Sequence, residues 1–310
     1  MNATTNTTPP NGIGALSFTP LLAPNALFIT IFTILLLIHV LFAIRFWRFY
    51  GYAIGMLGGL LLELLGYVAK VQLSRNRANK NGYIMYIIGL TLGPTFLSSS
   101  LYLCISTLQK HHPRTRFKHI TPAIFSTLFI LGDFACLCFI GCGGSLAAIY
   151  AESPVGVDLM IAGLGTQVLV TAVFCVLLAV VCRRAYSHLQ QGKKVGYIVC
   201  KLCPVSSISL SLSPSPCILP RGLIRFASSA VGAAVAAVCL FVRSCWRVAE
   251  LNGGFNGPLS SAEGVFIALD SIPMIVMSVL LTVMHPEFWF DRRLLAEKVM
   301  NSGLELGMKS

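Results

Sequence analysis

The stretch Met56-Leu-Gly-Gly-Leu-Leu-Leu-Glu-Leu-Leu-Gly-Tyr-Val-Ala-Lys70 carries no charge before its closing lysine except one carboxylate, Glu63. A helix needs about 20 apolar residues to cross the hydrocarbon core of a bilayer. This stretch is the middle of such a run, spanning roughly residues 49–70. Runs of similar character lie at about 22–44, 83–108, 122–150, 159–182, 223–248 and 263–285, the sixth being Ala-rich and only mildly apolar. The chain of 310 residues is 55% hydrophobic and only 11% charged, where a soluble domain carries about a quarter charged residues. The fold class expected is therefore all-α, a polytopic membrane helical bundle with seven transmembrane helices.

Lysine and arginine collect in the cytoplasmic loops of such proteins. With the N-terminus outside, the inner segments 45–48, 109–121, 183–225 and the C-terminal tail hold 17 of the 23 lysines and arginines. The outer residues would be Lys70, Arg75, Arg77 and Lys80, with Arg243 and Arg247 near the outer end of span six. This asymmetry predicts an outside N-terminus and a cytoplasmic C-terminus. Residues 1–21 then form an outer tail, 22–290 the membrane domain, and 291–310 a cytoplasmic tail. No basic n-region precedes the first span, so span one is expected to act as signal-anchor. The sequons at Asn2 and Asn6 would face outward, glycosylated or simply part of an unmodified tail. The net charge of +12 reads as loop bias and contact with anionic lipid at the cytoplasmic face, not as a nucleic-acid surface.

Most of the 11 cysteines fall within spans, among them Cys104, Cys136, Cys138, Cys142, Cys175 and Cys239. There cysteine is a small apolar residue. Cys200-x-x-Cys203 has no second pair to complete a zinc site. His111, His112 and His119 share a basic loop and read as a solvated, lipid-facing patch. No cofactor or metal is expected.

Ionisable groups inside a membrane cost roughly 2.5–3.5 kcal/mol on insertion scales, which makes each a candidate for function. Here they are His39, Glu63, Asp133 and Asp270, with His285 at an inner helix end and Asn25, Tyr102 and Gln167 adding neutral polarity. Counting about 1.5 Å per residue puts Glu63, Asp270 and Gln167 in one layer about 10–12 Å below the outer surface. Asp133 falls near mid-depth, and His39 and His285 near the inner face. With no lysine or arginine placed in the span cores, the acids are expected to be hydrogen-bonded and not ion-paired. Each is then either helix-to-helix glue or a functional group, and the coplanar pair Glu63 and Asp270 favours function. Gly55, Gly59 and Gly66 share the face of Glu63, with Tyr67 one turn on, so that face should meet another helix.

The last span has no lysine for a retinal Schiff base, and the Asp-Arg-Tyr and Asn-Pro-x-x-Tyr of common G-protein-coupled receptors are absent. No Walker loop, Gly-x-Ser-x-Gly or His-Glu-x-x-His occurs, so neither ATP-driven transport by this chain alone nor the corresponding hydrolases are indicated. One enzymatic option left open is a zinc-dependent membrane lipid amidase, for which His39, Asp133 and His285 are the available ligands; a third histidine is missing.

The ordered punctuation of the chain resembles the fungal RTA-like lipid-translocating exporters over nearly its whole length. The matching stretches are PNALF with His39, ELLGY (Glu63, Gly66, Tyr67), LGPTFLSSSLY (Pro94, Phe96, Tyr102), GDFACLCFIGCGG (Asp133, Gly143, Gly144) and GLGTQ (Gly163, Gln167). RSCWRVAELNGGFNGPLSSAEGVFIALD follows with Arg243, Arg247, Glu250, Gly254, Gly257, Glu263 and Asp270, then MHPEFWF with His285 and Pro286. The resemblance implies a seven-span, non-enzymatic protein of the plasma membrane or another endomembrane. It implies export or outward flipping of amphipathic lipids, such as sphingoid long-chain bases or sterol-like amphiphiles, and resistance to toxic lipids or drugs. Candidate substrate-binding residues are Glu63, Asp270, Gln167, Tyr67, Asp133 and Tyr102. Asn25, His39, Arg247, Glu250, Glu263 and His285 are assigned structural polar roles. The rival from another class is a non-transporting membrane sensor or receptor, which the same topology serves equally well.

Two features depart from the family pattern. Ile140 stands where a glutamine is common seven residues after Asp133, which weakens the expectation of a polar network there. The Ser/Pro-rich loop of about 194–222, within Lys194–Ser229, reads either as a regulatory insertion or as translated intron beginning near Val195-Gly196-Tyr197 and ending before about Ile224.

Overall fold

The structure is a computed structural model and describes residues 21–46, 49–75, 79–111, 121–149, 155–202, 221–252 and 262–285. It is helical throughout these residues, with no strand among them. The helices are α1 (Leu22–Arg45), α2 (Tyr50–Arg75), α3 (Lys80–His111), α4 (Pro122–Ile149), α5 (Val155–Leu202), α6 (Arg221–Asn252) and α7 (Glu263–Val283). Each contains a stretch long and apolar enough to cross a membrane. Helix α5 continues through the first residues of the expected 194–222 loop; residues 203–220, the sequons and the C-terminal tail lie outside the described residues.

Consecutive helices run antiparallel. Gly55 near the start of α2 faces Ser99 and Ser100 near the end of α3, and Gly66 near the end of α2 faces Leu90. On α5 and α6, Cys175 and Cys182 donate weakly to the carbonyls of Ala237 and Ala230. Helix α7 closes against the first two: Tyr52 Oη donates to Leu281 O at 2.6 Å, and His39 Nε2 lies 2.9 Å from Thr282 Oγ1. The apolar positions that remain exposed, such as Ile34, Leu41, Ile44, Leu128, Phe134, Leu169 and Val176, face outward. Facing hydrocarbon leaves them no incentive to be buried, so helix contacts rest on small residues and polar pairs.

That rule is visible on the glycine face of α2. A Cβ at Gly59 would lie 2.9 Å from the Gly93 carbonyl oxygen, and one at Gly93 would lie 2.9 Å from Glu63 Cγ. The two backbones approach this closely only because neither position carries a side chain. Helix α3, squeezed against α2 and also touching α4, α6 and α7, holds Pro94 in its interior. Proline has no N–H for the carbonyl four residues earlier. That carbonyl, Leu90 O, accepts instead from the Arg243 guanidinium on α6.

Helix α7 is not uniform. Residues Ile267–Ser271 form a π-helical turn between two α-helical segments, and Pro273 opens the second. Such bulges recur at functional sites. This one carries Asp270 and Ser271, both fully buried.

Candidate functional site

Five charged side chains from three helices form one ion-pair chain inside the bundle. On α6, Arg243 and Arg247 stand one turn apart and face the same way. Arg243 Nε is 3.2 Å and Arg247 Nε 3.1 Å from Asp270 Oδ1 on α7. Arg243 also reaches toward Glu63 on α2, with Nη2 3.9 Å from Oε1. Arg247 Nη1 donates to Glu250 Oε2 at 2.9 Å. Glu63 and Asp270 are fully buried and Arg243 nearly so, whereas Arg247 and Glu250 are partly exposed.

The expectation that the acids lack cations in the span cores is thus corrected. The sequence position of Arg243 and Arg247 puts them near the outer end of span six. They face Asp270 on α7, where the acids offset part of the cost of burying a guanidinium. Lys70, expected in an outer loop, is likewise buried within α2. Its Nζ lies 3.4 Å from Glu263 Oε1 and 3.8 Å from the centroid of Phe266.

The network is not charge-balanced. Glu63, Asp270 and Glu250 supply three carboxylates to two guanidiniums. Asp270 lies at contact distance from both arginines, and Glu250 accepts a hydrogen bond. Glu63 has neither advantage: neither of its oxygens accepts a hydrogen bond, and its one ion-pair partner is at 3.9 Å.

Tyr67, one turn along α2 from Glu63, packs against Phe28 and Phe32 and donates to Ser271 Oγ at 2.8 Å. It links α1, α2 and the π-turn rather than contacting the acids through its hydroxyl. At the Glu263 end of the bundle, Glu263 binds α1 and α2 together. Its Oε2 accepts from the Leu21 N–H at 2.7 Å and its Oε1 from Asn25 Nδ2 at 3.2 Å, while Lys70 pairs with the same carboxylate. The Leu21 amide precedes the first turn of α1, where backbone N–H groups have no helical acceptor, so Glu263 serves as a tertiary cap. Asn25, Lys70 and Glu263 form a structural clamp.

Gln167 does not join Glu63 and Asp270. It is buried on α5, and the structure gives its side chain no hydrogen bond to either acid. Equal depth does not fix the direction a side chain faces around its helix.

Asp133 and Tyr102 do meet, in a separate buried site between α3 and α4. Asp133 Oδ2 accepts from Ser98 Oγ at 2.5 Å and from Tyr102 Oη at 3.0 Å, and Oδ1 is bare. The Ile140 departure does not disrupt this site. Ile140 lies two turns along α4 in an apolar cluster with Met160, Leu164 and Leu251, and the polar partners come from α3.

His39 and His285 lie near each other at the opposite end from Glu263, with ring centroids 6.4 Å apart, and Tyr52 meets His285 edge-on at 5.2 Å. Asp133 is occupied elsewhere, with Ser98 and Tyr102. No group of three or more His, Cys, Asp or Glu among the described residues could hold a metal ion. His39, Asp133 and His285, the ligands available to a zinc amidase, therefore do not converge.

A bundle of seven membrane-spanning helices with an unbalanced charge network inside it defines an integral, multi-pass membrane protein. The chain belongs to the family described as RTA1 like protein, whose model matches residues 56–293. It is 29% identical over 291 residues to the sphingoid long-chain base transporter RSB1 of Saccharomyces cerevisiae, covering 88% of this chain and 74% of that one. It is 24% identical over 226 residues to protein RTM1 of Saccharomyces cerevisiae, covering 73% of this chain and 64% of that one. Protein RTA1 of the same yeast is 22% identical over 237 residues, covering 76% and 66% respectively. No solved structure matches.

Proposed function

We propose that this protein moves amphipathic lipid amines, such as sphingoid long-chain bases, outward across the plasma membrane, and so protects the cell against them. The observation that carries this reading is Glu63, a fully buried carboxylate with no hydrogen bond in a network with one acid too many. An ammonium is the group that such a site lacks. The sphingoid base transporter among its relatives supports the choice of substrate class.

In this mechanism the ammonium of the lipid pairs with Glu63 while the acyl tail stays between helices, in contact with hydrocarbon. Asp270 is held by both arginines and keeps the cationic side of the network in place. With the N-terminus outside, the Glu263 end faces outward and the network lies in the outer half of the bundle. Arg247 and Glu250, the partly exposed members, then stand on the exit side.

The test is growth of cells lacking their own exporter in graded phytosphingosine, with wild type or Glu63→Gln/Asp270→Asn at matched surface levels. Wild type is expected to restore resistance and the double variant to lose it. Equal resistance in both would refute the role given to the acids.

A further inference from the structure

We propose that Glu63 holds either one proton or one lipid ammonium, so that each amine bound displaces a proton and each amine released takes one up. This rests on the reading of the site as an amine site and adds to it a coupling to protons.

The inference follows from how Glu63 is enclosed. Its carboxylate is pressed against Gly93 of α3, 2.9 Å from where a Cβ would stand, and is fully buried. The titratable and charged groups facing it come from three helices. From α2 comes Tyr67, whose hydroxyl is committed to Ser271. From α6 come Arg243 and Arg247, both closer to Asp270, with Glu250 beyond them. From α7 comes Asp270 itself, a second negative charge. The facing surface of α3 is glycine, and α1 presents Phe28 and Phe32 behind Tyr67. The one cation at ion-pair distance from Glu63, Arg243, is shared with Asp270 and lies closer to it, and a buried carboxylate that accepts no hydrogen bond is heavily disfavoured. With the site empty, a proton satisfies it; with an amine present, the ammonium does.

The exchange balances. The carboxylic acid O–H bond breaks, the proton leaves, and the carboxylate pairs with the incoming cation. The site has the same charge in both states, so neither crosses the bilayer interior with excess charge. Binding the amine at one face and a proton at the other would couple export of the lipid to proton entry.

The test uses the full chain in phosphatidylcholine nanodiscs and N,N,N-trimethylsphingosine, whose charge does not change with pH. Its affinity is measured from pH 5 to pH 8 against empty discs, and protons released on binding are counted in weak buffer with a pH dye. Wild type is expected to lose affinity as pH falls, by up to tenfold per unit, and to release close to one proton per probe bound at the acid end. Glu63→Gln is expected to show weak binding that does not vary with pH, and Glu63→Asp to restore the variation. Binding by wild type with no pH dependence and no proton release would overturn the exchange while leaving the amine site standing. A Glu63→Gln variant that keeps the pH dependence would overturn the assignment to Glu63. No binding by wild type at any pH would overturn the amine site and the exchange together. The proton count on wild type needs no variant to fold.

Discussion

Arg243 on α6 satisfies the carbonyl that Pro94 leaves free on α3. Pro94 has no N–H for Leu90 O, and the guanidinium supplies the missing donor. The same side chain faces Asp270 at 3.2 Å and Glu63 at 3.9 Å. One arginine thus repairs a helix break and neutralises part of a buried acid pair. Irregular backbone at membrane depth is tolerated where neighbouring side chains re-satisfy it.

Arg243→Met is accordingly expected to lower stability by about 3–5 kcal/mol, the usual cost of breaking a buried ion pair from one side. Melting of the detergent-solubilised protein checks this. Pro94→Ala restores a backbone donor to Leu90 O. Added to Arg243→Met, it should recover about 1 kcal/mol, the net worth of one hydrogen bond. Strict additivity of the two changes would show that they do not share that carbonyl.

Gly93→Ala places a methyl group 2.9 Å from both Cγ and Oε1 of Glu63. Overpacking of this kind costs about 1–3 kcal/mol, and Glu63 is the group that must yield. Transport should fall while the helical content by circular dichroism stays unchanged. Full transport in Gly93→Ala would mean that the position of Glu63 is not critical.

The two ends of the charge system should respond differently to loss of an acid. Glu263→Gln strands Lys70, which is 1% exposed, and weakens the cap on α1; a loss of about 3–5 kcal/mol is expected. Glu250→Gln touches a pair with both members 14% exposed and should cost less than the Glu263 change. Melting temperatures in one detergent provide the comparison. Similar losses for both would contradict the burial difference.

In the separate α3–α4 site, Tyr102→Phe removes one of the two donors to Asp133 Oδ2. Hydrogen bonds between membrane helices average about 0.6 kcal/mol and seldom exceed about 1.7 kcal/mol, so the loss should fall in that range. In an Asp133→Leu background the same change should cost less. Equal cost in both backgrounds would show that the tyrosine acts through packing alone.

The helices were legible because an apolar run of sufficient length has few alternatives in a bilayer. The inward orientation of Glu63 was legible too, since Gly55, Gly59 and Gly66 mark the close-packed face on which it sits. The partners of the acids were not. Arg243 and Arg247 could be assigned a depth but not a direction, and their approach to Asp270 depends on how α6 and α7 rotate against each other. Gln167 shows the same limit: it is buried on α5, with no hydrogen bond to Glu63 or Asp270. Lys70 looked like a loop residue because α2 continues past it to Arg75. A stronger signal lay in the spacing of Arg243 and Arg247, four residues apart on one face of an otherwise apolar segment. Two charges so placed need acids opposite them.

In the proposed function, buried Glu63 receives the ammonium of a lipid being moved. The most direct measurement is transbilayer movement of a fluorescent sphingoid base in vesicles containing the purified protein, comparing wild type with Glu63→Gln/Asp270→Asn. Movement is expected to depend on the wild-type protein and to be lost in the double variant with its fold intact. Movement no faster than in protein-free vesicles, or equally fast with both proteins, would contradict it.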